Sequence, residues 1–113
     1  MATHAHADED DAYDSETCNV VESFQQIGSQ WRLAVLHDLS DEEKRFNELK
    51  RSTGASSRTL SRVLDDLQEM GFVSRRLEED APVATYYSLT EKGRSLCPVF
   101  DVIGEWAEEW LGE

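Results

Sequence analysis

Between Thr53 and Phe72 the chain reads TGASSRTLSRVLDDLQEMGF, and this stretch narrows the fold more than any other. Leu60, Val63, Leu64, Leu67 and Met70 recur at helical spacing and form one apolar stripe, with Arg58, Arg62, Asp65 and Glu69 on the opposite face. A helix with one face in a core is the consequence. Ser56 is suited to cap its start by accepting from backbone N–H groups of the first turn, and Gly71 to adopt the left-handed conformation that ends it. Upstream, Phe46 and Leu49 mark a shorter helix (FNELKRS), and Thr53-Gly54-Ala55 supplies the tight turn between the two. Two helices so joined make a helix-turn-helix.

The polar face of the second helix, about residues 57–70, decides what such a unit can do. Ser57, Arg58, Ser61 and Arg62 occupy its N-terminal half, where a recognition helix meets base edges; Asp65, Asp66 and Glu69 come after them. Arginine offers paired N–H donors to guanine O6 and N7, and serine bonds phosphate or a base edge. From these residues alone a second reading stays open: a solvated face with Arg62 paired to Asp65 or Asp66 at helical spacing.

Charge is the obstacle to a DNA reading, because 11 Lys+Arg against 24 Asp+Glu leave a net −13. Its distribution removes part of the difficulty. Residues 44–76 hold eight bases (Lys44, Arg45, Lys50, Arg51, Arg58, Arg62, Arg75, Arg76) and only four acids, so the basic block coincides with the helix-turn-helix and the few residues after it. A local positive patch attracts phosphate even on an anionic body. Acid excess with three lysines also resembles the composition of proteins from a salt-saturated cytoplasm, where arginine forks matter more than counterion release.

With 113 residues, 39% of them hydrophobic, the chain suits one small domain. No apolar run approaches membrane-spanning length and no signal peptide is evident, so a cytoplasmic protein is expected. Residues 1–17 read as a disordered acidic tail and residues 18–113 as a single domain. His4 and His6 are expected to be solvated tail residues, and no metal or cofactor is predicted.

Val20, Val21, Phe24 and Ile27 share a face of a first helix that begins near Thr17 or Cys18 and stops at Gly28. Trp31, Leu33, Ala34, Val35, Leu36 and Leu39 cover more than one stripe, which predicts a second helix buried on several sides, with Trp31 as a core anchor and His37 on the surface. A short strand can begin at Lys44-Arg45. After Gly71 the period changes to two: Val73, Arg75 and Leu77, a break at Glu78 to Pro82, then Thr85, Tyr87 and Leu89 predict a two-stranded hairpin. The fold class is therefore mainly α with a small β-hairpin, a winged helix.

Thr90 can cap a final helix whose Leu96, Val99, Ile103, Trp106 and Trp110 repeat at spacings of three and four, a coiled-coil-like seam. Pro98 marks a kink or a restart within it. Aromatic anchors of this kind are common at protein interfaces, so the first and last helices are expected to pair in a homodimer through Val20, Phe24, Val99, Ile103, Trp106 and Trp110. Cys97 is expected to be a small buried apolar residue.

With these residues in hand, the sequence resembles the HxlR family of winged-helix transcription regulators, relatives of the MarR group, over about residues 18–111. The resemblance rests on Cys18 ahead of the first helix, Gly28 with Trp31, Arg45-Phe46-Asn47-Glu48-Leu49, Leu60 with Ser61, Leu64 and Leu67, Gly71-Phe72-Val73, Pro82, Tyr87-Ser88-Leu89-Thr90-Glu91-Lys92-Gly93, and Leu96, Pro98 and Trp106. It implies a homodimer on double-stranded DNA with a pseudo-palindromic operator, a recognition helix in the major groove and a wing on the adjacent backbone. The candidate DNA contacts are Arg45, Lys50, Arg51, Ser56, Ser57, Arg58, Ser61, Arg62, Arg75 and Arg76. Asn19 stands where the family has Pro, and Ala55 where a larger aliphatic is common. The wing tip, Glu78-Glu79-Asp80, would repel phosphate, which leaves backbone work to Arg75 and Arg76. In some members the cysteine at the position of Cys18 senses oxidants or electrophiles, so an oxidant or small molecule is a candidate effector; a helix N-terminus favours the required thiolate and the acidic tail opposes it.

Two other function classes compete with a dimeric regulator, expected to be a repressor. A winged-helix protein-interaction module without DNA readout suits the acidic body and wing. An enzyme does not fit: there is no Gly-rich phosphate loop, no strong His/Cys ligand spacing, and no nucleophile with an evident base.

Overall fold

A computed structural model describes residues 15–79 and 83–112. Within them, six helices and three strands succeed one another as α1 (Ser15–Ile27), α2 (Gln30–Asp38), β1 (Lys44–Arg45), α3 (Phe46–Thr53), α4 (Ser57–Glu69), β2 (Val73–Glu78), β3 (Ala84–Leu89), α5 (Glu91–Arg94) and α6 (Cys97–Trp110). The first helix takes in Ser15, Glu16 and Thr17, three residues that composition alone gives to the tail. The rest of that tail, His4 and His6 included, lies outside the described residues, as do residues 80–82, among them Asp80 of the expected wing tip.

The centre of the fold is α4, as its pattern predicts. Leu60, Val63, Leu64 and Leu67 are buried against Val35, Leu36, Leu39, Leu49, Phe72, Val73, Tyr87 and Leu89, with Trp31, Phe46 and Met70 packed on the margin. Ser56 Oγ accepts from the backbone N–H of Thr59 at 3.1 Å and closes the first turn. At the other end the N–H of Phe72 reaches the carbonyl of Leu67 and that of Gly71 the carbonyl of Gln68, with Gly71 at φ 86°, a Schellman stop. Gly54 takes the same left-handed conformation, at φ 79°, in the turn between α3 and α4.

The expected hairpin is there, and the short strand expected at Lys44-Arg45 joins it, giving an antiparallel sheet in the order β1-β3-β2. Val73 to Glu78 lie opposite Leu89 to Ala84, while Lys44 and Arg45 lie opposite Tyr87 and Tyr86. Two residues are too few to carry a period, so β1 owes its place to tertiary ties. Lys44 Nζ donates to the carbonyl of Asp38 at 2.8 Å and to its carboxylate at 3.2 Å, and Ser52 Oγ donates to the same carboxylate. Those bonds hold the end of α2, the start of β1 and the end of α3 together.

Two expectations need correction. The second helix is less covered than a helix buried on several sides: Val35 and Leu36 are inside and Trp31 packs on the margin, but Leu33 is exposed, because α2 packs chiefly on α3 and α4. Thr90 does not cap the last helix. Its Oγ accepts from the N–H of Gly93 at the start of the separate turn α5, and Pro98 sits in the first turn of α6, where a missing N–H costs nothing. The restart alternative for Pro98 is the one realised. Cys97 is half-buried on the margin of the core.

Gly93 locks α5 onto the rest. A Cβ built there would lie 2.3 Å from the Phe72 carbonyl oxygen and 3.1 Å from the Leu89 side chain. Gly93→Ala should therefore lower stability by about 2 kcal/mol, read as a lower urea midpoint at unchanged slope. A midpoint within error of the parent's would show that the two segments separate freely.

Candidate nucleic-acid interface

The N-terminal half of α4 presents Ser57, Arg58, Ser61 and Arg62 outward, because the buried stripe leaves those positions no other direction. No neighbouring acid ties the two arginines down: Arg58 and Arg62 make no ion pair among the described residues. The pairing of Arg62 with Asp65 or Asp66 that the sequence left open does not form. Asp66 instead accepts from Arg32 at 3.1 Å, and Arg32 also donates to the carbonyl of Gln26 at 2.7 Å. One arginine thus braces α2 against the end of α1 and the C-terminal half of α4, and the recognition face keeps its cations.

Beyond that face, Lys50 and Arg51 are exposed on α3 and Arg45 on β1. Asn47, Lys50, Arg51, Gly54 and Ala55 line a shallow open groove beside the turn, and Arg45 and Arg51 border a second one that runs to Val83 and Thr85. Of the eight cations between residues 44 and 76, six (Arg45, Lys50, Arg51, Arg58, Arg62, Arg75) have no ion pair among the described residues. Lys44 is held by Asp38. Ser56 is engaged by the cap, donating also to Thr59 Oγ at 3.1 Å, so its role is to start the helix.

Arg75 and Arg76 point to opposite faces of β2. Arg75 shares the face of buried Tyr87, whose phenol is pushed up by burial, with Arg75 opposing and Asp65 adding to the shift. Arg76 lies 2.8 Å from Glu43 and 2.5 Å from Glu78, and its guanidinium stacks 4.6 Å from the centre of the Tyr86 ring. Hydrogen bonds to Glu78, then to Glu43, push its pKa up. Tyr86 and Glu43 were missed by sequence reasoning; only the strand register, which places Arg76 opposite Tyr86 and Tyr86 opposite Arg45, brings them together.

The proposed pairing residues Val20, Phe24, Val99, Ile103, Trp106 and Trp110 are all exposed, on α1 and α6. Cys18 is an exposed thiol in the first turn of α1. Among the described residues no group of His, Cys, Asp and Glu could hold a metal ion, and no helix is long and apolar enough to cross a membrane.

A family model described as HxlR-like helix-turn-helix matches residues 26–113. An HTH-type transcriptional regulator of Methanothermobacter thermautotrophicus is 36% identical over 101 residues, covering 88% of this chain and 77% of that protein. The HTH-type transcriptional regulator YodB of Bacillus subtilis is 34% identical over 95 residues, covering 82% of this chain and 85% of YodB. The reduced form of YodB superposes with a TM-score of 0.75 at 31% identity, over 81% of this chain and 91% of YodB. YodB is also known diamide-treated and quinone-bound. The redox regulator HypR in its oxidised form gives a TM-score of 0.75 at 34% identity, over 81% of this chain and 96% of HypR. These relatives lend no support to a salt-saturated origin for the acid excess. A winged helix-turn-helix with an unpaired cationic recognition face, matched by that model over most of its length, belongs to the HxlR-like helix-turn-helix family of transcriptional regulators.

Proposed function

We propose that the protein is a homodimeric, sequence-specific repressor that reads a pseudo-palindromic site in double-stranded DNA. The observation that carries this reading is the N-terminal half of α4, where Arg58 and Arg62 stand exposed without ion pairs among the described residues. In the major groove they supply bidentate donors to guanine, with Ser57 and Ser61 to base edge or phosphate. Arg45, Lys50, Arg51 and Arg75, exposed and without ion pairs among the described residues, suit phosphate oxygens, which set register without reading sequence. Pairing of α1 and α6 between two copies would hold two such helices about 34 Å apart, one turn of duplex.

Arg58→Ala or Arg62→Ala should cost about 1 to 3 kcal/mol at one base position per half-site, measured by anisotropy on sites selected from a random DNA pool. Uniform weakening on every duplex would mean phosphate contact. If the parent retains no sequence preference at any salt, the protein-interaction alternative takes over.

A second reading is favoured by Cys18, exposed in the first turn of a helix proposed to pair. The similar HypR is a redox regulator, and YodB is known in diamide-treated and quinone-bound forms. Oxidation of Cys18 would then alter DNA binding through the dimer. A Cys18→Ser protein whose DNA affinity still responds to diamide as the parent's does removes this reading.

A further inference from the structure

The outer face of the sheet carries one row of side chains across all three strands: Arg45 on β1, Tyr86 on β3 and Arg76 on β2. Arg76 reaches over the Tyr86 ring to Glu43, which immediately precedes β1, and is also held by Glu78, two residues along its own strand. The two edge strands are thereby clipped to each other across the central one. We propose that Glu43 and Glu78 withhold Arg76 from DNA, so that the outer face of the wing base is a strand clip and the phosphate contact it could supply is held in reserve.

The charge inventory supports this. One guanidinium faces two carboxylates, so the clip carries a net negative charge, and Arg45, with its guanidinium 5.9 Å from the Tyr86 ring centre, is the next cation. The pairs are half exposed, and isolated pairs of that kind hold weakly. Swinging Arg76 onto a phosphate, however, would leave both acids uncompensated beside another anion. Repulsion at the departed site offsets attraction at the new one.

The proposal rests on the DNA-binding reading and is tested on a mixed-sequence duplex, because phosphate contacts need no operator. Each phosphate contact contributes about 0.9 to the slope of log affinity against log salt, about a three- to four-fold change between 50 and 200 mM. Arg76→Ala is expected to leave the slope as in the parent. The pair Glu43→Gln with Glu78→Gln is expected to steepen it by about 0.9, and adding Arg76→Ala to that pair should abolish the gain. A slope reduced by about 0.9 in Arg76→Ala alone overturns the proposal, since Arg76 then already touches phosphate. So does a gain that survives in the triple variant, or no gain at all in the double one. A parent chain that binds no duplex at any salt removes the DNA reading itself, and this proposal with it.

Discussion

Leu67→Ala is expected to lower the free energy of unfolding by about 3 kcal/mol, within the roughly 2 to 5 kcal/mol seen for such truncations. Leu67 is fully buried at the meeting of α4 with the core residues of α2, α3 and the sheet. Its carbonyl also receives the N–H of Phe72, which ends the helix, so the side chain and the stop occupy one rigid corner. A small domain has only about 5 to 15 kcal/mol in total, so the variant should melt at a visibly lower temperature and unfold at much lower urea. Glu69→Ala, close by on the same helix and exposed, should stay within about 0.5 kcal/mol and serves as the comparison. Both measurements belong at a fixed, stated protein concentration, because assembly adds to apparent stability. A loss for Leu67→Ala no larger than for Glu69→Ala would mean that α4 is not packed as described.

How much could be read from the residues alone depends on how local each cause is. The start, face and end of α4 are set by Ser56, the Leu60–Leu67 stripe and Gly71, all within one short stretch, and all three are found in the structure. The hairpin was legible because alternation over six residues is a strong signal; the short strand expected at Lys44-Arg45 is found there, but two residues carry no period that could show its partner in the sheet. The ties that cross the chain were invisible. Asp66 bonds Arg32, 34 residues away, rather than the nearby Arg62, and Arg76 bonds Glu43 across 33 residues. Helical spacing favours neighbours, but only the packed fold decides which cation reaches which acid. For the same reason Arg75 and Arg76, adjacent in the chain and equivalent by composition, end on opposite faces with different surroundings.

Trp106→Glu combined with Trp110→Glu is expected to convert the proposed dimer into monomers and to cost the largest factor in affinity for the proposed operator. Every residue of α6 has some exposure, and Trp106 and Trp110 are 55% and 67% exposed; a helix of 14 residues so poorly covered is marginal on its own. Phe24 and Val20 on α1 are left equally open, and buried tryptophans are worth about 2 to 4 kcal/mol each as interface anchors. Separating the two recognition helices forfeits their effective concentration on one duplex, on the order of 100- to 10,000-fold. The same helices carry Glu16, Glu22, Asp101, Glu105, Glu108 and Glu109 with no lysine or arginine, so bringing two copies together opposes like charges. Screening shortens to about 3 Å at roughly 1 M salt, and the dimer should therefore tighten as potassium chloride is raised while the grip on phosphate weakens. Sedimentation across a salt series reads the first trend and anisotropy the second. A parent chain that sediments as a 12.9 kDa monomer at micromolar concentration throughout that series would leave the exposed tryptophans without a partner copy and end the twofold model.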